Sequence, residues 1–340
     1  MTESAHARIL SIKENSMKHT IRQILVAAAA LGCGALASSQ QANPPAAPAT
    51  PATPAPPAAP PDVKIDTVNV APGIYVLFGR GGNIGLTVGA DGAAIIDDQF
   101  ADMVPKIRSA VALLSEKPVK FVINTHLHGD HTGGNDGFGA AGAVIIAHEN
   151  VRKFLGSDQV NPSTNQPIPA RSREALPVVT FADSATLHFN DDDLEFTHLP
   201  AAHTATDIVI RFRKANVLHM GDCFTGGFPF IDGNTGGTLD GLILAHEKVL
   251  ATVDDDTKII RGHGPVGNKA ELEAYHEMLV VVRDRIAKLV KAGKTQDQVI
   301  EARPTREFEG KYGGNSFNAA QWIGRAYVDQ KYALEKRRRK

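Results

Sequence analysis

Residues 126–131 read His-Leu-His-Gly-Asp-His, and no other stretch of the 340-residue chain constrains its fold so tightly. Imidazole and carboxylate are the side chains that suit zinc and related divalent ions. Donors carried on one short segment converge on an ion only if a rigid element fixes where that segment starts. The apolar run Val119–Ile123 directly upstream reads as such an element, a short strand. Alternate side chains of an extended segment point the same way, so His126 and His128 can face one ion from one side. Asp130 and His131 follow where the chain turns, and can address a second ion. A polar loop with Asp130 as a helix cap explains the carboxylate but leaves three imidazoles without a purpose.

Two further histidines follow strand-like runs. His203 lies within residues 199–207, Leu-Pro-Ala-Ala-His-Thr-Ala-Thr-Asp, and His263 within Arg-Gly-His-Gly-Pro, residues 261–265. Glycine on both sides of His263 lets a ligand approach the backbone. The rest of the chain reads as two cycles of strands followed by helices. Val68 to Phe78 alternates as a strand. Ile84–Val88 and Ala93–Ile96 form a hairpin about Gly89-Ala90-Asp91-Gly92. Asp102 caps a helix from Val104 to about Ser115. A strand at Ala143–Ile146 precedes a helix at Glu149–Leu155. The second cycle places strands at 178–181, 185–189, 194–199, 208–212, 217–220 and 258–260. Helices follow near Leu242–Val249 and from Lys269 to Ala292, the latter closed by Gly293. Such a pattern predicts two packed sheets with helices outside, in one α/β domain over residues 63–340 with its functional loops at one edge.

The set His-x-His-x-Asp-His, a downstream His203, a Gly-Asp after an apolar strand and a late Gly-His-Gly resembles the metallo-β-lactamase superfamily over about residues 68–270. The resemblance implies a four-layer αββα sandwich with a dinuclear zinc site at its open edge. It implies His126, His128 and His203 on one zinc, and Asp130, His131 and His263 on the other. The next position is either Asp222, as in members where an aspartate bridges both ions, or Cys223, as in thiolate-type lactamases. Neighbours on a strand face opposite sides, so one of the two is expected to reach the metals. Asp222 is the closer match, and Cys223 is then a buried packing residue. Thiolate-type lactamases carry a lysine three residues after that cysteine, where this chain has Gly226. Asp97 resembles the aspartate behind the metal loop, expected to orient a ligand histidine or the loop backbone. His148 and His198 read as structural.

The amino-terminal 62 residues belong to something else. Residues 24–37, Ile-Leu-Val-Ala-Ala-Ala-Ala-Leu-Gly-Cys-Gly-Ala-Leu-Ala, follow Lys18 and Arg22 and end on an Ala-x-Ala site, the layout of a signal peptide. Met17 is an alternative start, and Cys33 a weaker alternative site of lipid attachment. Residues 38–62 are a Pro/Ala-rich spacer unable to bury a core. An exported, periplasmic or secreted protein is expected, with no stable transmembrane segment in the mature chain. The formal net charge is -1, from 36 basic and 37 acidic residues. Cleavage after residue 37 removes four basic and two acidic groups, leaving 32 against 35, a net -3. That balance argues against nucleic acid as a partner. The basic end, residues 336–340, reads as a solvated helix terminus.

The expected activity is hydrolysis of a small molecule's amide or ester carbonyl by water that paired zinc ions acidify, with Asp130 orienting that water and handling its proton. A β-lactam-type ring, and hence antibiotic degradation, is the first substrate expected. A lactone or a glyoxalase II-like thioester is the alternative, and a non-hydrolytic metal-binding or redox protein the reading from another class. The loop Gly226–Gly241, with Phe228, Pro229, Phe230 and Ile231, is expected to wall the site and to act as a lid.

Overall fold

The computed structural model describes residues 63–160, 164–314 and 318–338. The signal segment, the spacer, Met17, Cys33 and the last two residues of the basic end lie outside them. Among the described residues no helix is long and apolar enough to cross a membrane.

Strands β1 (Asp66–Ala71), β2 (Ile74–Phe78), β3 (Ile84–Gly89) and β4 (Gly92–Ile96) form an antiparallel meander. The stretch expected as one strand is two, because Pro72-Gly73 turns it back, with Gly73 at a φ of 71°. A 3₁₀ turn over Ala101–Met103 leads to α1 (Val104–Ala112). Asp102 does not cap this helix. Its carboxylate pairs with Arg80, and Met103 holds the cap position without a side-chain bond. Then come β5 (Val119–Ile123), α2 (Gly129–Thr132), α3 (Asn135–Ala140), β6 (Val144–His148) and α4 (Glu149–Leu155). A small pair, β7 (Gln159–Val160) and β8 (Pro167–Ile168), precedes β9 (Val179–Phe181). The first sheet runs β1-β2-β3-β4-β5-β6-β9, with β4, β5, β6 and β9 parallel.

The second sheet runs β10 (Ser184–Phe189), β11 (Asp192–His198), β12 (Ile208–Phe212), β13 (Val217–His219) and β14 (Lys258–Ile260). It is antiparallel except for the last pair. Helices α5 (Leu239–Leu250), α6 (Lys269–Lys291), α7 (Gln296–Glu301), α8 (Glu309–Tyr312) and α9 (Ala319–Arg338) complete the chain. Asn268 and Glu271 form a capping box at the start of α6, and Gly293 follows its end at a φ of 75°.

Two-residue alternation assigns the layers. Ala94, Ile96, Ile123 and Ile146 of the first sheet meet Phe196, Ile208, Ile210 and Phe212 of the second in a buried seam. Their neighbours Ala93, Ile95, Val122 and Ile145 turn the other way, onto Ile107 and Val111 of α1 and Phe138 of α3. On the far side Val209, Leu218 and Ile259 pack beneath α5, α6 and α9, among them Leu242, Leu279 and Trp322. The result is the four-layer αββα sandwich. Each fully buried Ile, Leu or Phe contributes about 1.5–3 kcal/mol.

The sheet directions decide where a site can form. β4 and β5 are parallel, and β11, β13 and β14 share one direction because β12 runs against both β11 and β13. Every segment singled out from the sequence leaves the carboxyl end of one of these strands: Asp97 after β4, residues 124–131 after β5, 199–207 after β11, 220–224 after β13 and 261–264 after β14. The amide of Ile208, at the start of β12, donates to the Thr125 carbonyl and ties the two sheets at this edge.

Candidate metal centre

The loop after β5 is fixed before it reaches its histidines. Asn124 and Asn135 exchange amide hydrogen bonds of 3.0 Å in both directions, and Asn124 Nδ2 also donates to the His131 carbonyl. His126 and His128 lie on the extended exit, and Asp130 and His131 on the single turn of α2. The other donors arrive from the second sheet. Three groups of potential ligand atoms result, each spanning no more than 4.8 Å: His126, His128 and His203; His126, His131 and Asp222; Asp130, His131 and His263. All seven residues expected from the sequence therefore meet at one place. The groups share His126 and His131, so they are contiguous.

Asp222 lies between the two expected sets. Its Oδ1 is 3.2 Å from His131 Nε2 and 3.4 Å from His263 Nε2, while its Oδ2 faces His203 Nε2 at 3.7 Å. Asp130 Oδ2 lies 3.2 Å from His263 Nε2 and 3.7 Å from His131 Nε2. Cys223 stands outside the groups, buried in the core beneath the helices, where burial raises its thiol well above the usual range. The reason differs from the strand alternation expected: β13 ends at His219, and residues 221–223 form a 3₁₀ turn that points Asp222 and Cys223 apart.

Four of the five imidazoles have their second nitrogen engaged by a protein acceptor, which sets the tautomer. Asp97 accepts from His131 Nδ1 at 2.7 Å, from the Thr125 amide at 2.7 Å and from the Thr125 hydroxyl at 2.8 Å. With its only proton given to Asp97, Thr125 Oγ1 accepts from His126 Nδ1 at 2.9 Å. His203 Nδ1 donates to the Phe230 carbonyl at 2.6 Å, and His128 Nε2 to Asp232 at 3.1 Å. The lone pairs left over are Nε2 of His126, His131 and His203 and Nδ1 of His128. His203 Nε2 and His128 Nδ1 approach to 2.9 Å. Buried donors turned together in this way, with their outer nitrogens already tied, are what a metal site requires.

Three buried atoms carry the same message. His126 Nε2, His131 Nε2 and Asp222 Oδ1 have no aligned hydrogen-bond partner among the described residues. Buried polar atoms without partners are costly, and metal bound at the contiguous groups satisfies them. The surrounding backbone is shaped to them: a Cβ on Gly82 would lie 2.1 Å from the His131 ring, and one on Gly262 2.0 Å from Asp222 Oδ1. The residues fit a divalent metal.

Electrostatics place alternating charges here. Burial favours a neutral His131, but Asp222 and Asp97 outweigh it and hold the imidazole well above its ordinary pKa. His263 is lifted to about 9 against its own burial, by Asp130 and Asp222. Burial and the neighbouring His131 push His126 well below its usual range, and burial lowers His203 to about 4. Asp222 is buried, yet His131 and His263 keep its carboxyl well below the normal value.

Sequence reasoning located Asp97 behind His131 but missed Thr125, Asp232 and the Phe230 carbonyl. Asp232 stands 104 positions from His128, and nothing local links them. The segment expected to wall the site and act as a lid is anchored at several points. Gly226 donates to the His263 carbonyl, Phe228 to Tyr312, Asp232 to His203 and Thr238 to Ala201. The Phe228 ring also stacks on Trp322 at 4.8 Å. His148 and His198 lie outside the cluster, stacked at 3.7 Å and bonded to the carbonyls of Ala182 and Ala205. The groups open on a cleft of about 430 Å³ whose walls include Phe100, Thr225, Phe228 and Phe230.

A family model described as the metallo-beta-lactamase superfamily matches residues 77–263, more than half of the chain. The metallo-beta-lactamase from Pontibacter korlensis superposes with a TM-score of 0.53 at 17% identity, covering 64% of this chain and 99% of that one. The DIM-1 metallo-beta-lactamase gives a TM-score of 0.52 at 17% identity, covering 64% of this chain and 98% of its own. Both likenesses concern the fold.

Proposed function

The chain belongs to the metallo-beta-lactamase superfamily, and from the site it builds on that fold we propose a dinuclear zinc hydrolase that opens an amide or ester bond in a small molecule. Strained cyclic amides and esters, β-lactams and lactones, are the substrates to try first. The observation that carries the reading is the convergence of seven donor residues, four of them histidines whose outer nitrogens are already engaged. His126, His128 and His203 would hold one ion, Asp130, His131 and His263 the other, with Asp222 reaching both. Zinc bound there supplies Lewis acidity, which polarises a carbonyl and acidifies water.

The protein's own groups do the rest. Asp97 and Thr125 together keep His126 and His131 in the tautomer that presents Nε2. Asp232 keeps His128 in the tautomer that presents Nδ1, and the Phe230 carbonyl keeps His203 in the one that presents Nε2. Asp130 borders the cleft, and although burial opposes it, His263 and His131 hold its carboxyl below the ordinary range. It therefore stays ionised at neutral pH, accepts a hydrogen bond from the attacking water, and can pass that proton to the leaving group. The amino-terminal sequence makes this an exported activity. Metal analysis with a panel of nitrocefin, homoserine lactones and thioesters tests the reading. Two zinc ions per chain with turnover of at least one class supports it, and a metal-loaded chain inert toward all of them contradicts it.

A further inference from the structure

The chemistry of the cleft away from the metal groups bears on what the substrate carries beyond its carbonyl. Phe100, Phe228 and Phe230 supply its apolar walls, and the Thr225 hydroxyl lies within hydrogen-bond reach of the Gly227 carbonyl and the Tyr275 hydroxyl. Among the described residues no lysine or arginine lines it, and the charged side chains that do, other than histidine, are Asp130 and Asp222 of the ligand cluster. Two cations lie against the wall rings: Arg80 is 4.5 Å from the Phe100 centroid and Arg325 4.7 Å from that of Phe230. Arg80 is also paired with Asp102.

Part of the aromatic wall is buttressed from outside the segment that matches the family. Phe228 is buried against Trp322 of α9, and its amide donates to the Tyr312 carbonyl at the end of α8. Tyr275 of α6 donates to the Gly227 carbonyl at 2.8 Å. The carboxy-terminal helices thus hold Phe228 in place, so its ring loses little further freedom when a substrate arm lies on it.

We propose that the cleft selects a carbonyl substrate whose arm beyond the scissile bond is uncharged and apolar, and discriminates against one bearing a carboxylate there. An anionic arm would exchange water for aromatic faces, whose quadrupole is negative, with no lysine or arginine lining the cleft to receive it. An alkyl or aryl arm gains from burial on the same surface. Substrate class here rests on the hydrolase reading above, so the test carries a readout that does not need turnover.

The zinc-loaded full chain is assayed with p-nitrophenyl acetate, butanoate, hexanoate and octanoate, and with p-nitrophenyl hydrogen adipate beside its methyl ester. Each added methylene raises kcat/KM about threefold to fourfold until the wall is covered. The methyl ester exceeds the free acid at least about tenfold. Phe230→Ala, and independently Phe100→Ala, flatten the chain-length dependence. Arg325→Ala leaves the acid-to-ester ratio as it was. In parallel, calorimetry measures binding of neutral alkyl amides of rising length to the metal-free chain. Affinity that climbs with length, and no longer does in Phe230→Ala, supports the apolar arm even without turnover, in which case only the hydrolase reading fails. Equal or higher kcat/KM for the free acid, its loss in Arg325→Ala, or amide binding indifferent to length overturns the proposal.

Discussion

Replacing Asp97 by asparagine changes the site by little more than one proton and one charge, and its consequence can be worked through bond by bond. Asp97 is fully buried, and two oxygens accept three hydrogens: the Thr125 amide on Oδ1, the Thr125 hydroxyl and His131 Nδ1 on Oδ2. Its backbone holds a φ of 64°, a conformation asparagine tolerates as readily, so Asp97→Asn adds no strain of its own. If the new amide nitrogen takes the place of Oδ2, it faces His131 Nδ1. That ring must then accept there and carry its proton on Nε2, the atom turned to the metal groups. If it takes the place of Oδ1, it meets the Thr125 N–H and leaves a buried donor unpaired, at about 1–3 kcal/mol. Both arrangements remove the charge behind His131. Zinc affinity should fall about 10- to 100-fold, or roughly 1.4–2.8 kcal/mol. Competition with a chromophoric chelator measures the affinity, and nitrogen NMR of the imidazoles reads the tautomer. An Asp97→Asn chain with unchanged zinc affinity and the Nδ1–H tautomer intact on His131 would refute the argument.

Three further outcomes follow from the same geometry. His131 and His263 are held protonated in the metal-free chain, His263 up to about 9, so zinc uptake at pH 7.5 must release protons from both. Zinc affinity then rises with pH toward 9, and calorimetry in buffers of different ionisation enthalpy counts the protons; a buffer-independent heat contradicts this. His219 and His246, buried and hydrogen-bonded outside the ligand set, are pushed by burial to about 4. Between pH 6.5 and 4 the unfolded chain takes protons that the folded chain refuses, so stability is lost as pH falls, by up to about 3 kcal/mol per histidine. Denaturation of the metal-free chain at pH 7 and 4.5 reads the loss, which His246→Gln should reduce by roughly half of the part these two contribute. Gly262→Ala puts a Cβ 2.0 Å from Asp222 Oδ1 and 2.7 Å from the Asp222 amide nitrogen, so backbone must move. Metal content should collapse while circular dichroism stays native, at a stability cost of about 1–3 kcal/mol; a folded variant with full zinc occupancy is the contrary result.

Much of this arrangement was legible before any coordinates. Val119–Ile123, Ile208–Phe212 and Lys258–Ile260 are strands with the expected bounds, because short apolar β-branched runs between polar turns admit few alternatives. The seven donors meet because each follows a strand whose carboxyl end lies at the same edge. What escaped was long-range. Asp102 looked like a cap and instead pairs with Arg80, since a salt-bridge partner 22 positions away leaves no local mark. Asp232 and the Phe230 carbonyl orient histidines from a segment that reads as a loose glycine-rich loop, and the contacts holding that segment come from Tyr312 and Trp322 near the far end of the chain. A sequence can show which side chains donate to a metal. The groups that set their tautomers depend on the tertiary fold.

Titration of zinc back into the chelated chain bears most directly on the central claim. Dialysis against EDTA should abolish turnover while the secondary structure persists, and activity should return with added zinc to a plateau at two ions per chain. A metal-free chain that turns over substrate at the original rate would contradict the account.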